Sequence, residues 1–402
     1  MPVLHPDPAT RKWRWTEPNT FNAESGLWTS RELPASPSAF RGSLFWPKYV
    51  AEGTVLTRDV RGTRMPLAAN SADMASWMDT NALYTAGGAW GAKTSLNTSV
   101  YGTEPIAVYV VDSTAPGVDW QYVDSVSAGA GYNQAEVDLF CKGRIPLPGW
   151  VTPPPQGDRG LALYDLGTGV MREYFMFQPV AGKPGHWTAR TGGYSVAKPG
   201  LVDLAQTNPG LQLRTGSNAV VGMHNALGFL GIAELVAGQV NHAVAFTCSN
   251  MGIGPSWPAL GADGLSTDPN APKEGQWFRL PASVDPTKNP STGKPYNPLT
   301  QVIIRAVQRY GGFASDKNLW VHAFNGENGR TWKQLYGKDP WYRDGTDTTG
   351  KSDGILVQMY GTTNRSIDVS DFPWHLTEWA PVDWGRPSPD FFLRPGQSAP
   401  WQ

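Results

Sequence analysis

Four carboxylates occupy positions from which glycan chemistry could be run. Asp112 ends an apolar run, Asp165 sits in a turn, Glu173 lies mid-strand, and Glu234 follows the His224 segment. Glycoside hydrolysis needs two such groups flanking a cleft, about 5 to 9.5 Å apart according to the stereochemistry. Glu173 is the sharpest of them. It lies in Met171-Arg-Glu-Tyr-Phe-Met-Phe177, where 171, 173, 175 and 177 share one strand face and are otherwise apolar. Such a carboxylate either points into a cleft or is buried against a basic partner such as Arg172. A polysaccharide lyase would want a His or Tyr base, with Asn, Gln or Arg neutralising a uronate. His224, Asn225, Tyr174 and Arg172 supply these types if they converge, and His242 is a further candidate. A histidine on a strand equally serves as a hydrogen-bonded structural residue. The catalytic candidates are therefore Glu173, His224 and Asn225.

Sugar binding, as opposed to cleavage, calls for exposed aromatic platforms ringed by polar side chains, because sugars offer apolar C–H faces and many hydroxyls. Tryptophan suits this, supplying a large rigid area. Trp374, Trp379 and Trp384 recur every five residues, interleaved with His375, Glu378 and Asp383. That spacing fits neither a helix nor a strand face, so the rings either point outward as carbohydrate-binding platforms or clamp the tail onto the main domain. A Ca²⁺ ion has one weakly patterned locus, Asp344-Gly-Thr-Asp347 with Ser352-Asp-Gly354, which lacks EF-hand ligand order and reads equally as a solvated loop. The six histidines are scattered at 5, 186, 224, 242, 322 and 375 without an HExxH pattern, and no GxSxG elbow occurs. No metal or other cofactor is expected beyond that Ca²⁺ locus.

The elements that must position these groups are mostly strands. Ile106 to Val111 is a short β-branched and aromatic run, the pattern of a buried strand. Leu161 to Tyr164 and Val170 to Phe177 flank the turn-rich Asp165-Leu-Gly-Thr-Gly169 and predict a hairpin. His186 to Arg190 is expected to continue it as a meander, and Gln239 to Thr247 to form a further strand after a short helix at 231–237. Helices are expected over 71–84, with Ser71 as N-cap, and over Leu299 to Tyr310, whose apolar residues keep one face inward until Gly311-Gly312. These elements predict a mainly β chain: a jelly-roll β-sandwich over 66–379 with a few peripheral helices. An extended Pro/Trp-rich arm over 1–65, or an irregular first layer of the same domain, precedes it; a Pro-rich tail over 380–402 follows.

Composition narrows the partners. The 402 residues include 45 Gly, 35 Pro and 18 Trp, only 17% are charged, and the formal charge is −1. No basic surface exists for nucleic acid, and no Lys/Arg cluster suggests an anionic membrane. No apolar run approaches the length of a membrane span, so membrane insertion is not expected. A neutral polymer fits better. Two cysteines are too few for a disulfide framework or a zinc site; Cys248 reads as a buried thiol, with pairing to Cys141 left open. The N-terminus has neither a basic n-region nor an apolar h-region, so a secretory signal is not expected.

Three ordered segments carry a family resemblance. They are Gly222-Met-His-Asn-Ala-Leu-Gly-Phe-Leu-Gly-Ile-Ala-Glu-Leu235 with Gly238-Gln-Val-Asn-His-Ala243; Glu274-Gly-Gln-Trp-Phe-Arg-Leu-Pro281; and Ala306-Val-Gln-Arg-Tyr-Gly-Gly312 with Asp316-Lys-Asn318. Together with Trp374-His-Leu-Thr-Glu-Trp-Ala-Pro-Val-Asp-Trp-Gly-Arg-Pro387, this order resembles a family of actinobacterial and actinobacteriophage minor tail proteins with a concanavalin-like jelly roll. The resemblance spans roughly 85 to 390 and implies no catalytic residues. It implies a virion protein of the phage tail tip, assembled in the host cytoplasm. The implied partners are other tail proteins and host cell-envelope glycan, with room for a homo-oligomer in the tail. A hydrolase or lyase acting on envelope glycan is the alternative, and a purely structural spacer the third.

Overall fold

The computed structural model describes residues 55–81, 94–98, 106–129, 134–196 (except 152, 155, 156 and 166), 219–318, 322–336, 339–341, 355–360 and 369–386. It also gives the backbone of four N-terminal strands: β1 (Val3–Asp7) pairs with β2 (Lys12–Thr16), and β3 (Phe21–Asn22) with β4 (Leu27–Trp28).

Three larger sheets organise the rest. In the first, β13 (Thr191–Val196), β10 (Val170–Phe175), β9 (Leu161–Asp165) and β6 (Ala107–Val111) lie side by side. The second has the order β11 (Gln178–Pro179), β12 (His186–Thr188), β7 (Gln121–Ser125), β8 (Gly143–Ile145). The third has six strands: β18 (Glu378–Trp379), β15 (Trp277–Arg279), β16 (Gly312–Lys317), β14 (Val244–Cys248), β17 (Ala323–Asn325) and β5 (Ser95–Asn97). The helices are α1 (Ser71–Thr80), α2 (Gln134–Cys141), α3 (Ile232–Ala237), α4 (Pro298–Tyr310), α5 (Arg330–Tyr336) and α6 (Ile355–Tyr360). The β-rich expectation holds. All three sheets are mixed, with β6–β9, β7–β12, β14–β16 and β17–β5 parallel.

Side-chain alternation along the strands stacks these sheets. On β14, Val244 and Phe246 enter a core with Phe278, Ala314 and α4, whereas Ala245 between them enters a second core with Trp277 and Phe313. Val108 and Val110 of β6 join that second core, while Ala107, Tyr109 and Val111 turn into a third with Val123, Ile145, Trp187 and α2. The order of layers is thus α1, α3, α4 and α6, six-stranded sheet, β6–β9–β10–β13 sheet, then β11–β12–β7–β8 sheet, with α2 packed into the third core. The middle sheet is buried on both faces: β6 and residues 161–164 of β9 read as continuous apolar runs, and β10 is buried over 170–174 although it carries Arg172 and Glu173. Among the described residues, the outer face of the last sheet is left open.

Several elements match the sequence reading. Helix α4 starts on Pro298, suited to a first helical turn, and ends at Gly311, whose φ of 81° a side chain rarely adopts. The 161–175 hairpin is antiparallel, with Tyr164 opposite Met171. The meander is corrected: the next strand in that sheet is 191–196, and 186–188 belongs to the outer sheet, paired with β11 and β7. Ser71 is the first residue of α1 with Asn70 before it, and its hydroxyl instead accepts a bond from Trp379 N at 2.8 Å.

At the proposed arm's end, Val55, Leu56, Val60 and Met65 are buried in the second core, so 55–65 form part of the packed body. At the other end Ala380 is buried and 381–386 lie against the same core. The remainder of 1–65 beyond its strand backbone, and 387–402, fall outside the described residues. Cys141 and Cys248 are free, buried thiols in different cores, both pushed up to about 12 by burial.

Candidate functional site

The catalytic candidates meet, but as a fold contact. Glu173 is fully buried, and its carboxylate accepts hydrogen bonds from Asn225 N (3.1 Å) and Ala226 N (2.8 Å). These amides open the 3₁₀ turn Asn225–Gly228, so a carboxylate there satisfies donors that the turn cannot. His224 and Asn225 are 2% and 1% exposed, and burial pushes the His224 imidazole down to about 3, keeping it neutral. The lyase set does not converge. Arg172 and Tyr174 alternate onto the opposite side of β10 from Glu173, where Arg172 Nε donates to Phe140 O (2.7 Å) and Tyr174 Oη to Cys141 O (3.0 Å). Glu173 therefore does not pair with Arg172, and it opens into no cleft.

The other carboxylates are also engaged. Asp112 accepts from Thr114 in its own turn. Asp165 closes the hairpin turn, accepting from Ser113 N, Gly167 N and Thr168 Oγ1. Glu234 faces His242 at 3.0 Å, and the other nitrogen of that ring donates to Ala243 O, a fully buried arrangement.

The tail tryptophans turn inward. Trp374 and Trp379 are both 0% exposed, with Nε1 donating to Thr94 Oγ1 (2.6 Å) and Thr377 Oγ1 (3.0 Å). Their rings pack with Phe246, Phe278 and Phe324 at centroid distances of 5.1 to 6.1 Å. Neither ring can serve as a sugar platform. Trp384 is half-buried, with the Arg58 guanidinium 3.5 Å above its ring and Trp277 edge-on at 6.1 Å. Burial among these rings lowers Arg58 to about 10. The three tryptophans clamp the chain's end to the core. The Asp344–Gly354 calcium locus lies outside the described residues.

Exposed aromatics occur elsewhere, on the open face of the outer sheet. Along β7, Gln121 and Val123 point inward while Tyr122 and Asp124 point out. Directly opposite Tyr122 lie Arg144 on β8 and His186 on β12. Tyr122, 47% exposed, stacks on His186 with centroids 5.2 Å apart and planes 14° from parallel. Trp120, 37% exposed, lies just before β7 under the Arg144 guanidinium at 4.5 Å. Asp124 fixes the His186 ring through Nδ1 at 2.6 Å and lies 3.5 Å from Lys183. The bond from His186 is the main cause holding the Asp124 carboxyl below the usual range. Ser125 Oγ and Thr188 Oγ1 meet at 2.6 Å across the β7–β12 pair, where the register shifts.

This row is braced from beneath. Trp187 Nε1 donates to Gln121 Oε1 (2.6 Å), Gln121 Nε2 donates to Leu147 O and Pro148 O, and Trp187 stacks on Phe177 at 4.8 Å. Sequence reasoning missed this face, although the alternation in Gln121-Tyr-Val-Asp-Ser125 carried its signal. A separate carboxylate group, Asp263, Glu274 and Asp316, has the donor set of a hard cation. No helix among the described residues is long and apolar enough to cross a membrane. No protein-family model, curated protein or solved structure matches this chain.

Proposed function

We propose that this chain is a non-catalytic, glycan-binding component of a phage tail tip, and that the open face of β8–β7–β12 holds host cell-envelope glycan. The observation that carries this is the Trp120–Arg144–Tyr122–His186 row. Two exposed rings are held at fixed angles by their neighbours, so a sugar's C–H face would stack on them at little entropic cost. Asp124, Lys183, Ser125 and Thr188 border the rings and offer donors and acceptors for hydroxyls. The mixture of charges suits a neutral polymer, in line with the near-zero net charge.

Membership of a tail rests on the ordered segments at 222–243, 274–281 and 306–318 and the 374–387 stretch. From it follow virion localisation and partnership with other tail proteins. For the fold we propose a concanavalin-like sandwich of mixed sheets: the sheets stacked through shared cores support the sandwich, and the parallel ladders depart from an all-antiparallel jelly roll. Glu173, His224 and Asn225 are structural in this reading.

Retention of the purified protein on actinobacterial cell walls tests the proposal. Binding that disappears when the wall polysaccharide is stripped chemically supports it. Equal retention on stripped walls, or none on intact walls, overturns it.

A further inference from the structure

We propose that Asp263, Glu274 and Asp316 form a Ca²⁺ site that ties the long segment after β14 to the end of β16. One carboxylate oxygen from each of the three residues lies within 4.8 Å of the other two. Local backbone features aim them there. The β14–β16 register shifts so that Phe246 faces Ala314 and Thr247 faces Asp316, an irregularity of the bulge type that redirects a side chain. Glu274 precedes Gly275, whose φ is 88° and where a Cβ would lie 1.8 Å from Ser256 O. Asp263 precedes Gly264, where a Cβ would lie 2.3 Å from Gly252 O. Only glycine fits either place, so both carboxylates enter on backbone that passes other strands of the loop closely.

A second observation points to a ligand. Glu274 is 0% exposed; one of its oxygens accepts from Asp263 N at 3.1 Å, and the other, Oε2, is buried without any donor. Buried carboxylate oxygens are ordinarily satisfied. Among the described residues, Lys317 is the cation paired with this group: it lies 3.3 Å from Asp263 Oδ2 and donates to Asp263 O at 2.8 Å. Three carboxylates against one ammonium leave two negative charges, the complement of a divalent ion.

The all-oxygen donor set selects a hard cation over zinc or copper. Ligands drawn from a loop and a strand end, with the Asp263 side chain 51% exposed, suit the irregular, partly hydrated shell of Ca²⁺ better than the strict octahedron of Mg²⁺. This site is separate from the glycan face and does not depend on it.

The test uses the full chain after EDTA treatment, titrated calorimetrically with CaCl₂ and, separately, with MgCl₂, alongside thermal melts with and without 10 mM of each salt (roughly ten or more times the dissociation constant expected for a module of this kind). The expected result is one saturable Ca²⁺ site with a dissociation constant of about 10⁻⁴ to 10⁻³ M. A Ca²⁺-dependent rise in Tm of roughly 2–4 °C should accompany it. Both responses should vanish in Asp316→Asn and in Glu274→Gln. Because Glu274 is buried, Asp263→Asn on the exposed side supplies the same readout if Glu274→Gln does not fold. No saturable Ca²⁺ binding by the wild type overturns the proposal. So does an Asp316→Asn variant that responds like the wild type, or an equal response to Mg²⁺.

Discussion

In the 374–384 segment three tryptophans turn toward the body of the protein; at 120–122 a tryptophan and a tyrosine turn toward water. Both regions are aromatic-rich and interleaved with charged residues, yet their surroundings give them different work. Trp374 and Trp379 sit where the six-stranded sheet's helix-side face needs filling, and their indole N–H groups are satisfied by threonine hydroxyls. Trp120 lies just before β7 and Tyr122 on it, beside a sheet face left open among the described residues, and their polar neighbours are a guanidinium and an imidazole. Aromatic content alone does not mark a sugar site. What separates the two is whether the layer beneath the ring has another layer above it.

The contrast can be broken most forcefully at Trp379. Replacing this fully buried ring by alanine leaves a large cavity among Phe246, Phe278 and Trp374. About 3–5 kcal/mol of stability should be lost, read as a lower midpoint in urea unfolding. A wild-type midpoint would mean that the tail does not clamp the core.

Acid should reach the same cluster. His322 packs edge-on to Trp374, and its Nε2 donates to Met78 O. Burial pushes it down to about 4. The unfolded chain then takes up a proton near pH 6.5 that the folded chain refuses until about pH 4. Its contribution is therefore intact above pH 6.5 and is lost as pH falls toward 4, on the order of 3 kcal/mol. Thermal melts between pH 4 and 8 should show that decline, and His322→Gln should reduce it, leaving the part that comes from buried His224, while keeping a donor for Met78 O.

Glu173→Gln separates structure from catalysis. The amide keeps the size but loses the charge and one acceptor for the Asn225 and Ala226 amides, so about 1–3 kcal/mol should be lost. Glycan retention at a temperature where the variant is folded should be unchanged. A stable variant that gained or lost sugar-releasing activity would restore the hydrolase reading. The smallest effect is expected for Asp124→Asn, which frees the exposed His186 ring: wall binding should weaken by about threefold, less than 1 kcal/mol, with Tm unchanged.

Much of the framework was legible in the sequence. The apolar spacing in 299–310 marked α4, and the Asp165–Gly169 turn marked the β9–β10 hairpin, because both signals are local. The β12 strand was assigned to the wrong neighbour because leaving one sheet for another has no local signature in 176–185. The shared face of 171 and 173 holds, but the strand ends at Phe175 and Phe177 joins the third core with Tyr174; burial of Glu173 is one of the two alternatives in the sequence, without the basic partner expected there. Its partners are backbone amides some fifty residues later, which carry no side-chain signal. The calcium-type cluster escaped notice because Asp263, Glu274 and Asp316 are far apart in sequence and meet only through packing. The five-residue rhythm of Trp374, Trp379 and Trp384 drew attention to rings that the fold buries. The two-residue rhythm of 121–125 pointed to the exposed ones.

The central claim is tested most directly by measuring affinity for solubilised envelope glycan in two variants: Trp120→Ala with Tyr122→Ala, and Trp384→Ala. The account predicts that the double variant folds with wild-type circular dichroism and binds at least about tenfold more weakly, a loss of about 1.4 kcal/mol. It predicts that Trp384→Ala loses stability and, where folded, binds as the wild type does. Undiminished binding by the double variant, with binding abolished in a folded Trp384→Ala protein, would contradict it and move the site to the tail.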